Sequence, residues 1–269
     1  MNEMRTQIGR RTMVSVLVAE WHKWLRHRFT WGCLLTWMAI VLLLGTTGSE
    51  LVMLTSIGQL LLLVWISIVV GQEFHWGTLQ SLLVNGGITR MQLGIAKLSL
   101  TVVSSGLATL ALILTAVFVT ALGVRGGGLY WPAWHAYTPL GIFVSFLAYA
   151  ALAFGLVMFS QSSNNALLLG ILGYAMEWLM VGVLPVLRVF SVLVGSDADG
   201  FLAQIAKLFK LFSIRTNANL GVDSLNVNLV ASSLPQDWPR AALILVVCAG
   251  IALGTSLVLF TRRDLVARY

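Results

Sequence analysis

Charge is scarce in this chain. Of its 269 residues only 10% are Asp, Glu, Lys or Arg, where a soluble domain carries about 25%. So little polar side chain cannot cover a water-exposed globule, which excludes a soluble enzyme and a nucleic-acid module. The hydrophobic fraction of 58% excludes a disordered chain. Cysteine is limited to Cys33 and Cys248. Both lie inside apolar runs, so no disulfide framework is implied. There are four lysines, Lys23, Lys97, Lys207 and Lys210, and none follows a glycine. A phosphate-binding loop needs Gly-Lys followed by Ser or Thr, so the chain does not hydrolyse ATP by that route. His22, His27, His75 and His135 show no metal-ligand pairing, and no nucleophile elbow is present.

What the chain has instead is long apolar runs, with a mean hydropathy of +0.88. At about 20 residues per spanning helix, six spans are predicted: 29–47, 51–71, 98–123, 140–160, 166–187 and 241–260. The first is flanked by Arg26 and Arg28 and followed by no small-residue cleavage motif, so it reads as a retained signal anchor. The net charge of +7 belongs to topology and does not point to nucleic acid. With the N-terminus inside, eleven of the 17 Lys and Arg residues are cytoplasmic, and most of the others fall in one long external loop. Basic residues in short loops and at span ends set orientation, so both termini are predicted on the cytoplasmic side of the inner membrane.

Residues 13–28 precede the first span. Val14, Leu17, Val18, Trp21, Trp24 and Leu25 recur there at helical spacing, with Ser15, Glu20, His22, Lys23, Arg26 and His27 on the other side. An apolar face with two Trp opposite a basic face predicts an interfacial helix, with Glu20, Trp21, Lys23, Trp24 and Arg26 as its marked residues. Segment 72–97 is expected to be cytoplasmic. It retains Phe74, Leu79, Leu82 and Leu83, breaks at Asn85-Gly86-Gly87, and restarts with Thr89 and Gln92 as a capping box. The external segment 188–240 carries an apolar stripe from Phe201 to Phe212. That stripe could cap an outer mouth, lie on the leaflet or pack back on the spans. From Arg215 to Gln236 the Asn and Ser content predicts irregular structure.

Glu177 is the one carboxylate deep in a predicted span. Intramembrane charges are costly and face a bundle interior or a wet cavity. It is therefore a candidate for the substrate pathway, against the alternative of a hydrogen-bonded packing residue. Gly250 and Gly254 in span six, and Ala151 with Gly155 in span four, have the spacing for close helix approach and read as internal packing contacts, against the alternative of a dimer seam.

The pattern Glu73-x-x-x-Gly77-Thr78-Leu79-x-x-Leu82-Leu83, with Gly87, Thr89, Arg90 and Lys97 after it, resembles the ABC-2 type permease subunits of ATP-driven exporters. The amphipathic start with Glu20, Lys23 and Arg26 and the ending Phe260-Thr-Arg-Arg-Asp264-Leu265 are similar as well. Asn85-Gly86-Gly87-Ile88 departs from the Pro that many relatives have near this turn. The resemblance is strongest to antimicrobial-peptide export and immunity permeases. It implies an all-α polytopic fold of the type V exporter kind, six spans behind an interfacial helix, working as a dimer with a second, identical permease subunit. It also implies two separate ATP-binding subunits that carry ATP and Mg, no cofactor on this chain, and no enzymatic activity of its own. Docking would run through Glu73, Gly77, Thr78, Leu79, Leu82, Leu83 and Arg90, with Glu73 hydrated just past the membrane boundary. The implied cargo is a hydrophobic or amphipathic peptide, drug or lipid-like molecule. Two other classes remain open: a membrane scaffold or signalling subunit, and an ATP-independent carrier. The carrier is disfavoured because Glu177 alone is available in the spans for ion coupling.

Overall fold

The computed structural model describes residues 13–47, 50–75, 88–123, 129–130, 137–194, 204, 213–214, 217–218 and 237–262. Among them the protein is all-helical, with α1 (Met13–Arg26), α2 (Arg28–Thr46), α3 (Leu51–His75), α4 (Arg90–Ala121), α5 (Thr138–Ser160), α6 (Ser163–Val194) and α7 (Asp237–Arg262). Five of these, α2, α3, α4, α5 and α7, contain stretches long and apolar enough to cross a membrane. The chain is thus a polytopic membrane protein. The expected span 166–187 lies within α6, which is helical throughout its 32 residues.

Most helices outrun the spans expected for them. α3 continues past Gly71 to His75, and α4 begins at Arg90 and not at 98. A 32-residue helix is about 48 Å long at 1.5 Å per residue, against a hydrocarbon core of about 30 Å. A hydropathy pattern registers only the apolar middle, whereas backbone hydrogen bonding carries the helix on to its cap. For α4 that cap is the expected one. Gln92 N donates to Thr89 Oγ1 at 3.2 Å, and Thr89 N donates to Gln92 Oε1 at 3.0 Å.

α5 is the most enclosed of the candidate spans and packs against α3, α4, α6 and α7. Its sequence is rich in small residues; Ala148, Ala150, Ala151 and Ala153 are all buried, and small side chains let helix backbones approach closely. A Cβ at Gly155 would come within 3.1 Å of Ser256 Oγ on α7, so this glycine is part of the α5–α7 seam. Gly250 and Gly254 are not. Both are exposed, with nothing within 4 Å of a built Cβ among the described residues. The internal packing role expected for them is therefore corrected: α7 meets α5 through the turn carrying Ala252 and Ser256, which turns Gly250 and Gly254 outward.

On the other side α2 is pinned to α4, where Trp37 Nε1 donates to the Ala108 carbonyl at 3.0 Å. The Trp37 ring also meets Phe146 of α5 edge-on at 5.9 Å. Buried hydroxyls along α4 bond within the helix, apart from Ser104 Oγ, which has no hydrogen-bond partner among the described residues. Thr101, Ser105 and Thr109 each donate to the carbonyl four residues earlier, at 3.1, 3.0 and 2.9 Å. This buried polar stripe is accordingly local in its bonding.

Candidate functional site

α1 presents three sides. Val16, Glu20 and Trp24 recur every four residues on its buried side, while Val14, Val18, Trp21 and Leu25 form an exposed apolar stripe. His22 and Arg26 are exposed on the remaining arc, as the 100° step between successive helical residues requires. The expected two-sided helix is corrected in two respects. Trp21 and Trp24 do not share a face, and Glu20 leaves the polar face for the interior. Trp21 Nε1 reaches Ser99 Oγ at 3.3 Å from the exposed side, whereas Trp24 is 4% exposed and stacks on Trp65 of α3 at 6.0 Å.

Glu20 turns inward because Lys97 is there. Lys97 sits in the second turn of α4, is 1% exposed, and donates to Glu20 Oε2 at 3.1 Å. It also pairs with Glu73 Oε2, while Lys23 of α1 pairs with Glu73 Oε1. Two ammonium groups and two carboxylates thus form one charge-balanced cluster joining α1, the last turn of α3 and the start of α4. Glu20 and Glu73 are 7% and 6% exposed. Charges this far from water persist only when paired and hydrogen-bonded, and each carboxylate here has an ammonium partner. Beside the cluster, His27 Nε2 meets Gln72 Oε1 at 3.1 Å.

The hydrated position expected for Glu73 is therefore corrected. Its carboxylate lies within α3 and is occupied by two lysines of its own chain, because extending α3 by one turn carries it under α1. Gly77, Thr78, Leu79, Leu82 and Leu83 lie outside the described residues. Arg90 is the first residue of α4 and is half-buried, and Arg26 is exposed at the end of α1. Reading the sequence placed Lys97 only downstream of the connector. The signal that could have marked it is that Lys97 is the one charge in α4 after Arg90, inside a helix of spanning length and hydropathy, a position that demands a buried counter-charge.

Glu177 occupies a separate site. Tyr149 Oη donates to its Oε2 at 2.8 Å, and Ser213 Oγ and Ile214 N donate to its Oε1 at 3.3 and 3.0 Å. Both oxygens are engaged, and the donors come from α5 and from the segment expected outside. Ser213, Asn217 and Ala218 are buried, and Ala218 joins the core that contains Tyr149 and Phe154. These residues pack back on the spans, while the apolar stripe Phe201 to Phe212, for which three placements were open, lies outside the described residues except for Gln204. Asn217 and Ala218 are also helical, where the composition predicted irregular structure. No family model matches this chain, and no curated protein matches it either.

Proposed function

We propose that this chain is the permease subunit of an ABC-2 type exporter. In this reading α6 completes a set of six spans, and α1 and both termini lie on the cytoplasmic side of the inner membrane. The pathway forms at a dimer of such subunits, and two separate ATP-binding subunits carry ATP and Mg and drive the switch. The cargo is a hydrophobic or amphipathic peptide, drug or lipid-like molecule.

The observation that carries the proposal is the cluster of Lys23, Glu73, Lys97 and Glu20. Glu73 and Lys97 sit on the two helices that flank the connector 76–87, and both are ion-paired to α1. A displacement of that connector by a docked ATPase would move α3, α4 and α1 together. Glu73 then acts as a positioning residue inside the lever, while Gly77, Thr78, Leu79, Leu82, Leu83 and Arg90 remain the residues assigned to docking. Burying one leucine contributes roughly 1.5–3 kcal/mol, which is about one to two decades of affinity.

The test is co-expression with a candidate ATP-binding subunit from the same source, followed by pull-down of correctly inserted protein. Leu82→Asp should lower ATPase recovery at least tenfold. Glu73→Gln should retain the ATPase but lose ATP-driven transport. A chain that is folded and inserted yet associates with no ATPase would defeat the reading, as would undiminished transport in both variants.

A further inference from the structure

The charge cluster does not fill the space around it. Between α1, α3 and α4 lies a cavity of about 250 Å³ lined by Lys23, Trp24, His27, Gln72, Glu73 and Lys97 among others. That is the volume of about eight waters at ~30 Å³ each. Two ring nitrogens on its wall, Trp24 Nε1 and His27 Nδ1, are buried and have no hydrogen-bond partner among the described residues. Native proteins rarely leave such groups unpaired. Trp24 cannot readily swing its N–H to water, because its ring is held flat against Trp65, 12° from parallel.

The chemistry of the wall narrows the ligand. Trp24 Nε1 can only donate. His27 has Nε2 beside the Gln72 amide oxygen, which can only accept; in the neutral tautomer that donates there, Nδ1 offers a lone pair. Lys23 leaves its side chain 47% exposed at the cavity's edge, and Lys97 occupies only Oε2 of Glu20. The two lysines and two glutamates sum to no net charge. A ligand with a net charge would bring an unbalanced charge against buried ion pairs that are already neutral, whereas one carrying a charge of each sign would not. The same helix carries an exposed apolar stripe, Val14, Val18, Trp21 and Leu25, on another side, a surface suited to a lipid interface, which favours a lipid as the source of the ligand.

We propose that this cavity binds the headgroup of a phospholipid bearing both a phosphate and a primary ammonium. The phosphate accepts hydrogen bonds from Trp24 Nε1 and Lys23 Nζ. The ammonium donates to His27 Nδ1 and to the carboxylates of the cluster. A choline headgroup has no N–H to give, and a glycerol headgroup adds an uncompensated negative charge. The proposal goes beyond the export reading and holds whether or not an ATPase docks on this chain.

The experiment uses the full chain, delipidated in detergent, titrated with short-chain phosphatidylethanolamine, phosphatidylcholine and phosphatidylglycerol, and with soluble glycerophosphoethanolamine, a phosphodiester with the same charges as the lipid headgroup. Tryptophan fluorescence and the thermal midpoint are read together. Phosphatidylethanolamine should bind at least tenfold more tightly than the other two lipids, and soluble glycerophosphoethanolamine should bind more weakly than the lipid. Trp24→Phe keeps an aromatic ring against Trp65 and removes the N–H together with the second ring, and should weaken binding about tenfold. His27→Ala provides the second variant if Trp24→Phe does not fold, and it should also weaken binding. Equal binding of all three lipids overturns the proposal, as does unchanged affinity in the folded variants. Soluble glycerophosphoethanolamine binding as tightly as the lipid would overturn the membrane source. No response to any lipid would mean that the cavity holds water only.

Discussion

Removing Lys97 tests the cluster most directly. Lys97→Met keeps the length of the side chain and deletes the one ammonium that contacts both Glu20 and Glu73. Glu73 keeps Lys23, but Glu20 is left at 7% exposure with no described counter-charge. Breaking a buried pair from one side costs about 3–5 kcal/mol. At about 2–4 °C per kcal/mol for a chain of this size, the thermal midpoint should fall by roughly 6–20 °C. Charge balance supplies an internal control. Adding Glu20→Gln to Lys97→Met returns the cluster to neutrality with the Lys23–Glu73 pair intact, so the double variant should lose less than half of what Lys97→Met loses alone. Glu20→Gln by itself should be milder than Lys97→Met, since Lys97 retains Glu73. The assay is the apparent melting temperature of detergent-solubilised protein, followed by size-exclusion at each temperature. Two results would refute the reasoning: a Lys97→Met midpoint within about 2 °C of wild type, or a double variant whose loss equals the sum of the single losses, as expected of independent sites.

Further consequences concern the other end of the bundle and its seams. Glu177→Ala removes the acceptor that holds Ser213 and Ile214; a cysteine introduced at Ala218 should then react with a membrane-impermeant thiol reagent at least severalfold faster, and an unchanged rate would show that the tether is not what buries this segment. Gly155→Leu should overpack the α5–α7 seam against Ser256 and Ala252, costing about 1–3 kcal/mol. Gly250→Leu meets open space and should shift stability by no more than about 0.5 kcal/mol. Equal loss in these two folded variants, read as thermal midpoints, would contradict the assigned orientation of α7.

Membrane class, an all-helical fold and the approximate positions of α1 to α7 were legible along the chain, because each depends on local sums of apolar side chains. The Thr89–Gln92 cap was legible for the same reason, its partners lying three residues apart. Helix ends were less so, since hydropathy falls away before hydrogen bonding does; this is how Glu73 came to be expected in water and is found inside α3. α1 shows the limit most clearly. Its periodicity revealed an amphipathic helix, but two faces cannot describe a helix with a buried side, an exposed apolar stripe and an exposed polar arc. Nothing within 13–28 shows that Glu20 must face Lys97, 77 residues away. The same holds for Glu177, whose donors lie 28, 36 and 37 residues distant on either side, and for Gly250, whose outward turn depends on which arc of α7 meets α5. The sequence by itself therefore determined which segments leave water and become helices, because apolar transfer and backbone pairing are properties of short stretches. Only the tertiary structure decided which buried charges meet, because a charge in a low-dielectric interior is stabilised by the partner that packing brings within a few ångströms, wherever that partner lies along the chain.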